Sequence, residues 1–182
     1  MEIISIRERR SLPRAREVLE RGGVIIFPTD TVYGIGGDAL RRSVLTRIRR
    51  MKERERQKPF PWLVSDVRMA ERYGVFTPSA QGLAKRFWPG AVTIVVRRRG
   101  SKRATIGLRV PAHPWLHRLI AAFGRPIIGT SANRSGKRPA TTARAARRIF
   151  PDADLIIDGG LCDRKPSRVL DCRFGGVSIL RR

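Results

Sequence analysis

The run Val24-Ile25-Ile26-Phe27 empties into Pro28-Thr29-Asp30-Thr31-Val32-Tyr33-Gly34-Ile35-Gly36-Gly37-Asp38, and this stretch constrains the chain more than any other. A short apolar run bounded by glycine and proline reads as a buried strand. Two threonine hydroxyls, two carboxylates, a phenol and three glycines follow before a basic amphipathic segment begins. Glycines let backbone amides approach a ligand closely. The stretch therefore fits a small-ligand site, with an ordinary strand–turn–helix corner as the plainer alternative.

The rest of the pattern says what kind of sheet that strand joins. Ile3–Ile6 reads as a first strand and Leu12–Arg21 as a helix with Leu12, Ala15, Val18 and Leu19 on one face, stopped by Gly22-Gly23. Val44, Leu45, Ile48 and Met51 make Arg41–Lys52 a helix with one apolar face. Strands are expected at Phe60–Val64, Ala91–Arg97, Ala104–Val110, Pro126–Ile128, Leu155–Ile157, Arg168–Leu170 and Val177–Leu180. Helices are expected near Asp66–Tyr73, Pro78–Phe87, Pro114–Phe123 and Thr142–Ile149, with Gly129–Pro139 left as a polar loop. Strands and helices interleave throughout 182 residues with no repeat or linker. The expectation is one α/β domain, residues 1–182, built on a mixed sheet flanked by helices.

Charge is the outlier. Lys and Arg total 39 against 15 Asp and Glu, a net charge of +24. Such an excess attracts polyanions, whether RNA, nucleotide phosphates or an anionic surface. No apolar run approaches the roughly 20 residues that span a bilayer, and no signal peptide is visible at Met1–Ile6. The chain is expected to be soluble and cytoplasmic. Cys162 and Cys172 match no zinc spacing and are too few for a disulfide framework.

Several motifs tempt and fail. Gly34-x-Gly36-x-x-Ala39 has the dinucleotide spacing, but Pro28–Tyr33 separate it from the strand it should follow directly. Gly136-Lys137 resembles a P-loop without its earlier glycine, and Arg138 stands where Ser or Thr is needed. His113 and His117 share a helical face but lack further metal ligands in an obvious pattern, so a structural role is favoured. No Ser/His/Asp or Cys/His set suggests itself. Chemistry here would rest on positioning and electrostatics, with no dedicated catalytic residue.

Two clusters suit that idea. Residues 41–58 hold nine basic side chains, among them Lys52, Arg54, Arg56 and Lys58, against Glu53 and Glu55. Arg holds phosphates by its fork and Lys as a point charge. Gly129-Thr130-Ser131-Ala132-Asn133-Arg134-Ser135-Gly136 follows a buried strand, the place where open α/β sheets bind ligands.

Five motifs now stand in order: Pro28-Thr29-Asp30-Thr31-Val32-Tyr33-Gly34; Lys52-x-Arg54 with Lys58-Pro59; Trp88-Pro89-Gly90; Thr105-x-x-x-Arg109-x-Pro111-x-His113-Pro114; and Ser131-Ala132-Asn133-x-Ser135-Gly136. From about Gly22 to Arg182 the set resembles the YrdC-like family, the threonylcarbamoyl-AMP synthases, in its short single-domain form. The resemblance implies a twisted mixed sheet with a basic concave face. It also implies a reaction, in which L-threonine, bicarbonate or CO2, and ATP with Mg2+ give L-threonylcarbamoyl-AMP and pyrophosphate. A partner threonylcarbamoyl transferase complex would then modify an adenosine beside the anticodon of tRNA, with weak direct tRNA binding compatible.

By the same resemblance Lys52, Arg54, Thr105, Ser131, Asn133 and Arg181 face ATP. Thr29, Lys58, Arg109 and Ser167 face threonine, Tyr33 walls the pocket, and the protein supplies no metal ligand. Asp30 stands where that family more usually has Glu. The alternative is a non-enzymatic RNA-binding or ribosome-assembly module using the basic surface. Against it, the clusters at 41–58 and 144–148 contain no aromatic side chain for base stacking.

Overall fold

The computed structural model describes residues 1–55, 58–174 and 176–181. Arg56 of the basic run, and the final Arg182 of the family-like stretch, lie outside them. In chain order the elements are β1 (Glu2–Ser5), α1 (Ser11–Glu20), β2 (Ile25–Phe27), β3 (Gly34–Gly36), α2 (Arg42–Met51) and β4 (Trp62–Leu63). There follow α3 (Val67–Glu71), β5 (Gly74–Val75), α4 (Pro78–Phe87), β6 (Val92–Arg98), β7 (Thr105–Arg109) and α5 (Pro114–Phe123). The chain closes with β8 (Ile127–Ile128), β9 (Thr130–Ser131), α6 (Ala143–Ile149), β10 (Leu155–Asp158), β11 (Arg168–Asp171) and β12 (Ser178–Arg181).

Local chemistry sets the helix ends. Thr77 and Thr142 accept the amide hydrogens of Ala80 and Ala145, and Asp66 accepts that of Met69. His113 caps α5 through Nδ1 ahead of Pro114, and Gly124 ends that helix in the left-handed region. His113 thus has the structural role expected of it. Among the described residues no helix is long and apolar enough to cross a membrane.

The α/β class and the mixed pairing are as expected, but the hydrogen bonds divide between two sheets. One runs β1-β10-β2-β3-β9, parallel across β1, β10 and β2 and antiparallel beyond. The other runs β12-β11-β6-β7-β4-β8, with β5 paired to β6. They meet where the Ile128 amide donates to Gly37 O at 2.8 Å and Asp38 bridges Ile127. A Cβ on Gly36 would fall 1.8 Å from Ile128 O, so only glycine lets the sheets approach there. β3 and β9 lie inside segments expected to be loops, and β5 was not anticipated. One apolar cluster, including Ile94, Leu108, Leu116 and Leu155, packs α1, α4 and α5 on the sheets. A second, including Val44, Ile48, Ala146 and Ile156, packs α2 and α6 on the other side of the first sheet.

Candidate active site

The cavity that gathers the expected residues encloses about 120 Å³ where the loop after β2 faces the second sheet. Its floor follows from strand alternation. In β7 Ile106 and Leu108 point into the core, which turns Thr105, Gly107 and Arg109 to the opposite face. Val169 pairs with Arg181 on one side and Thr93 on the other, while Leu63 pairs with Arg109. Thr93 and Arg109 lie one step beyond the paired Ile94 and Leu108. Arg181, Val169, Thr93, Arg109 and Leu63 therefore form one row across the sheet.

Arg109 is 6% exposed and fixed at two points. Its Nε donates to Gly90 O at 2.9 Å and its Nη2 to Asp30 Oδ1 at 2.6 Å. The Trp88-Pro89-Gly90 turn and Asp30 thus aim a guanidinium whose Nη1 has no protein partner among the described residues. Arg181 donates Nε and Nη2 to Ser167 O at 3.0 and 2.6 Å, and Nη2 to Ser167 Oγ at 3.1 Å. Ser167 Oγ lies 3.2 Å from Thr93 Oγ1.

The cations feel one another. Burial lowers the Arg181 pKa and the charge of Arg109 lowers it further. Burial, then Arg49 and Arg181, lower that of Arg54. Burial with Arg54 brings Lys52 down to about 7. Like charges held together this way destabilise the empty site and favour an anion. Asp30 supplies a carboxylate beside them, tied to Arg109.

In the loop after β2, hydrogen-bond accounting separates the two threonines. Thr29 Oγ1 donates to Val32 O at 2.7 Å and accepts the Thr31 amide at 3.0 Å. Its one proton being used, the 2.8 Å contact with Thr31 Oγ1 is donated by Thr31. Thr29 shapes the loop, and the Thr31 oxygen keeps acceptor capacity at the cavity. The Tyr33 hydroxyl donates to Gly160 O at 2.9 Å and accepts the Gly159 amide at 3.0 Å. Burial raises its pKa well above the ordinary phenol value, which keeps it protonated. Tyr33 thereby ties the loop to the segment leading to Ser167.

The end of α2 places Lys52 and Arg54. The Glu53 amide donates to Arg50 O and the Arg54 amide to Arg49 O, with Glu53 at φ 52°, a Schellman cap. Lys52, 2% exposed, then turns inward. Its Nζ donates to Ser131 O at 2.5 Å, Asn133 O at 2.6 Å and Asn133 Oδ1 at 3.2 Å. The Ser131 hydroxyl donates to the same Oδ1 at 2.6 Å, and Asn133 Nδ2 donates to Arg134 O and Lys137 O. Lys52 and Asn133 thus brace the loop from behind Ser131.

Of the residues singled out in the sequence, Thr29, Tyr33, Arg54, Arg109, Ser131, Ser167 and Arg181 line the cavity. Thr105 lies four residues along β7 from Arg109, on the same open face and about 13 Å away. Lys58 is exposed and pairs with Glu55 at 2.8 Å, outside the cavity lining. Thr31, Thr93 and Thr130 line it as well and were not singled out. The signal for Thr93 was a polar residue inside an otherwise apolar strand. Among the described residues, no three His, Cys, Asp or Glu side chains gather as a metal site.

Comparison with known proteins gives this geometry a family. Threonylcarbamoyl-AMP synthase of Thiobacillus denitrificans is 34% identical over 174 residues, covering 91% of this chain and 93% of that protein. The structure of P. abyssi Sua5 complexed with L-threonine superposes with a TM-score of 0.91 at 33% identity over the whole chain. This chain spans 57% of that longer protein. E. coli YciO superposes with a TM-score of 0.90 at 27% identity, covering 100% of this chain and 94% of its own. The model of the Sua5, YciO and YrdC proteins, described as telomere recombination, matches residues 17–182. The chain belongs to the Sua5/YciO/YrdC family.

Proposed function

We propose that this chain joins L-threonine, bicarbonate and ATP into L-threonylcarbamoyl-AMP, releasing pyrophosphate and water. The observation that carries the reading is the set Arg54, Arg181 and Arg109, mutually repelling and lining one cavity, with Lys52 buried behind its Ser131 wall. Relatives named threonylcarbamoyl-AMP synthase support it, as does P. abyssi Sua5, a relative that binds L-threonine.

Arg109, aimed by Asp30 and Gly90, takes the threonine carboxylate through its remaining Nη1 edge as a charge-assisted contact. Bicarbonate takes up a proton and loses water to give CO2. The amine attacks this CO2 and sheds a proton to form a carbamate, and a carbamate oxygen attacks the α-phosphorus in line with the departing pyrophosphate. Arg54 and Arg181 offset the phosphate charge, and the braced Ser131 wall holds the two reactants within attacking distance. Mg2+ entering with ATP would neutralise phosphate charge, and among the described residues no cluster of three His, Cys, Asp or Glu side chains would compete for it. Thr105, on the open face of β7 outside the cavity lining, is expected to contact the nucleotide. The product is a labile mixed anhydride, which calls for a partner transferase that delivers it to an adenosine of tRNA in the cytoplasm.

Mass spectrometry of a reaction containing L-threonine, 13C-bicarbonate and Mg-ATP tests the proposal. The adenylate carrying one 13C is the expected product. A folded sample that binds ATP yet forms no such species contradicts it.

A further inference from the structure

We propose that Thr93, with Ser167 and Arg181, forms the subsite for the one-carbon substrate, bound as bicarbonate. The inference rests on the synthase reading and adds to it a residue and a place for the third reactant. Thr93 is 3% exposed, sits mid-floor in β6 and lines the cavity. Its methyl lies 3.2 Å from where a Cβ on Gly107 would stand, so the glycine makes room for that methyl. The hydroxyl is left 3.2 Å from Ser167 Oγ.

Counting protons defines what the pair can hold. Thr93 and Ser167 carry two hydroxyl hydrogens, and their mutual bond uses one. The second hydrogen and the remaining lone pairs face a ligand. Ser167 Oγ already accepts from Arg181 Nη2, which fixes the guanidinium beside the pair. Arg181 Nη1 has no protein partner among the described residues. The subsite thus offers a cation, one hydroxyl donor and acceptor lone pairs.

Bicarbonate presents the complement, a delocalised negative charge and an O–H to donate. A carboxylate or phosphodiester offers acceptors alone and leaves the lone pairs of the hydroxyl pair unused. The position suits the chemistry too. Arg109, proposed to take the threonine carboxylate, is on the adjacent strand, about 4.8 Å from Thr93 across the sheet. The carbon source would lie beside the amine it must meet.

The test is steady-state titration of each of the three substrates in the wild type, Thr93→Val and Thr93→Ser. Thr93→Val is expected to raise KM for bicarbonate about tenfold while KM for threonine and ATP stays within about twofold. Thr93→Ser, which keeps the hydroxyl, is expected to restore the bicarbonate KM. A merely structural hydroxyl pair moves all three constants together or none, and either result overturns the proposal. A rise confined to threonine also overturns it, assigning Thr93 to the amino-acid subsite. If Thr93→Val does not fold, Thr93→Ala is put through the same titrations. An inactive wild type defeats the synthase reading itself, and this inference with it, whereas an active wild type with an unselective variant defeats this inference alone.

Discussion

Asp30 Oδ1 accepts from Arg109 Nη2 at 2.6 Å, joining the loop after β2 to the floor of the second sheet, with both side chains largely buried. The contact neutralises Arg109 without covering its whole fork. Removing one partner of a buried pair leaves an uncompensated charge, at a cost of about 3 kcal/mol. Asp30→Ala is expected to lose about that much stability in urea unfolding and to raise KM for threonine. Stability and KM both at wild-type values would show that Arg109 holds its place without Asp30.

Glu53 occupies the left-handed position that ends α2, where glycine is usual. A side chain there costs roughly 1–2 kcal/mol, partly offset in glycine by its greater freedom in the unfolded chain. The Glu53–Arg134 ion pair is exposed on both sides and contributes little. Glu53→Gly is therefore expected to stabilise the fold by about 0.5–1 kcal/mol. A destabilised variant in urea melts would show that the ion pair outweighs the backbone.

Lys52 gives a pH signature with a definite sign. Folding brings its pKa from 10.5 to about 7 through burial and the Arg54 charge. Between those values the unfolded lysine holds a proton the folded one sheds, so stability rises with pH across that window. Urea midpoints at about pH 7 and about pH 8.5 are expected to differ more in the wild type than in Lys52→Met, which lacks the titrating group. Equal slopes would contradict the depressed value.

Tyr33 is buried, and its hydroxyl serves two backbone groups at Gly159 and Gly160. Tyr33→Phe leaves both without that partner and is expected to cost about 1–3 kcal/mol. The segment that ends at Ser167 should loosen, read as faster amide exchange at residues 159–167. Unchanged exchange there would separate Tyr33 from the placement of Ser167.

Much of this was legible in the sequence, and the gaps have physical causes. Pro78–Phe87 and Pro114–Phe123 came out with their bounds because proline opens each helix and Trp88-Pro89 or Gly124 closes it. Gly34-Ile35-Gly36 has little strand propensity and pairs because the Phe27 ring and Ile128 O occupy the space a Cβ would need. The cavity residues lying in local motifs were found, including Arg54, Arg109 and Ser131. Thr93 was not, because its facing Arg109 and Ser167 depends on the register of three strands. Lys52 was expected to face ATP; instead it braces the Ser131 loop from inside, a role that depended on the distant Asn133.

The most direct test of the central claim is pyrophosphate release from Mg-ATP, measured with each substrate omitted in turn. Release is expected only when L-threonine and bicarbonate are both present, and it should fall sharply in Arg109→Ala. Release that ignores threonine, or none from folded protein that binds ATP, would contradict the claim that this cavity makes threonylcarbamoyl-AMP.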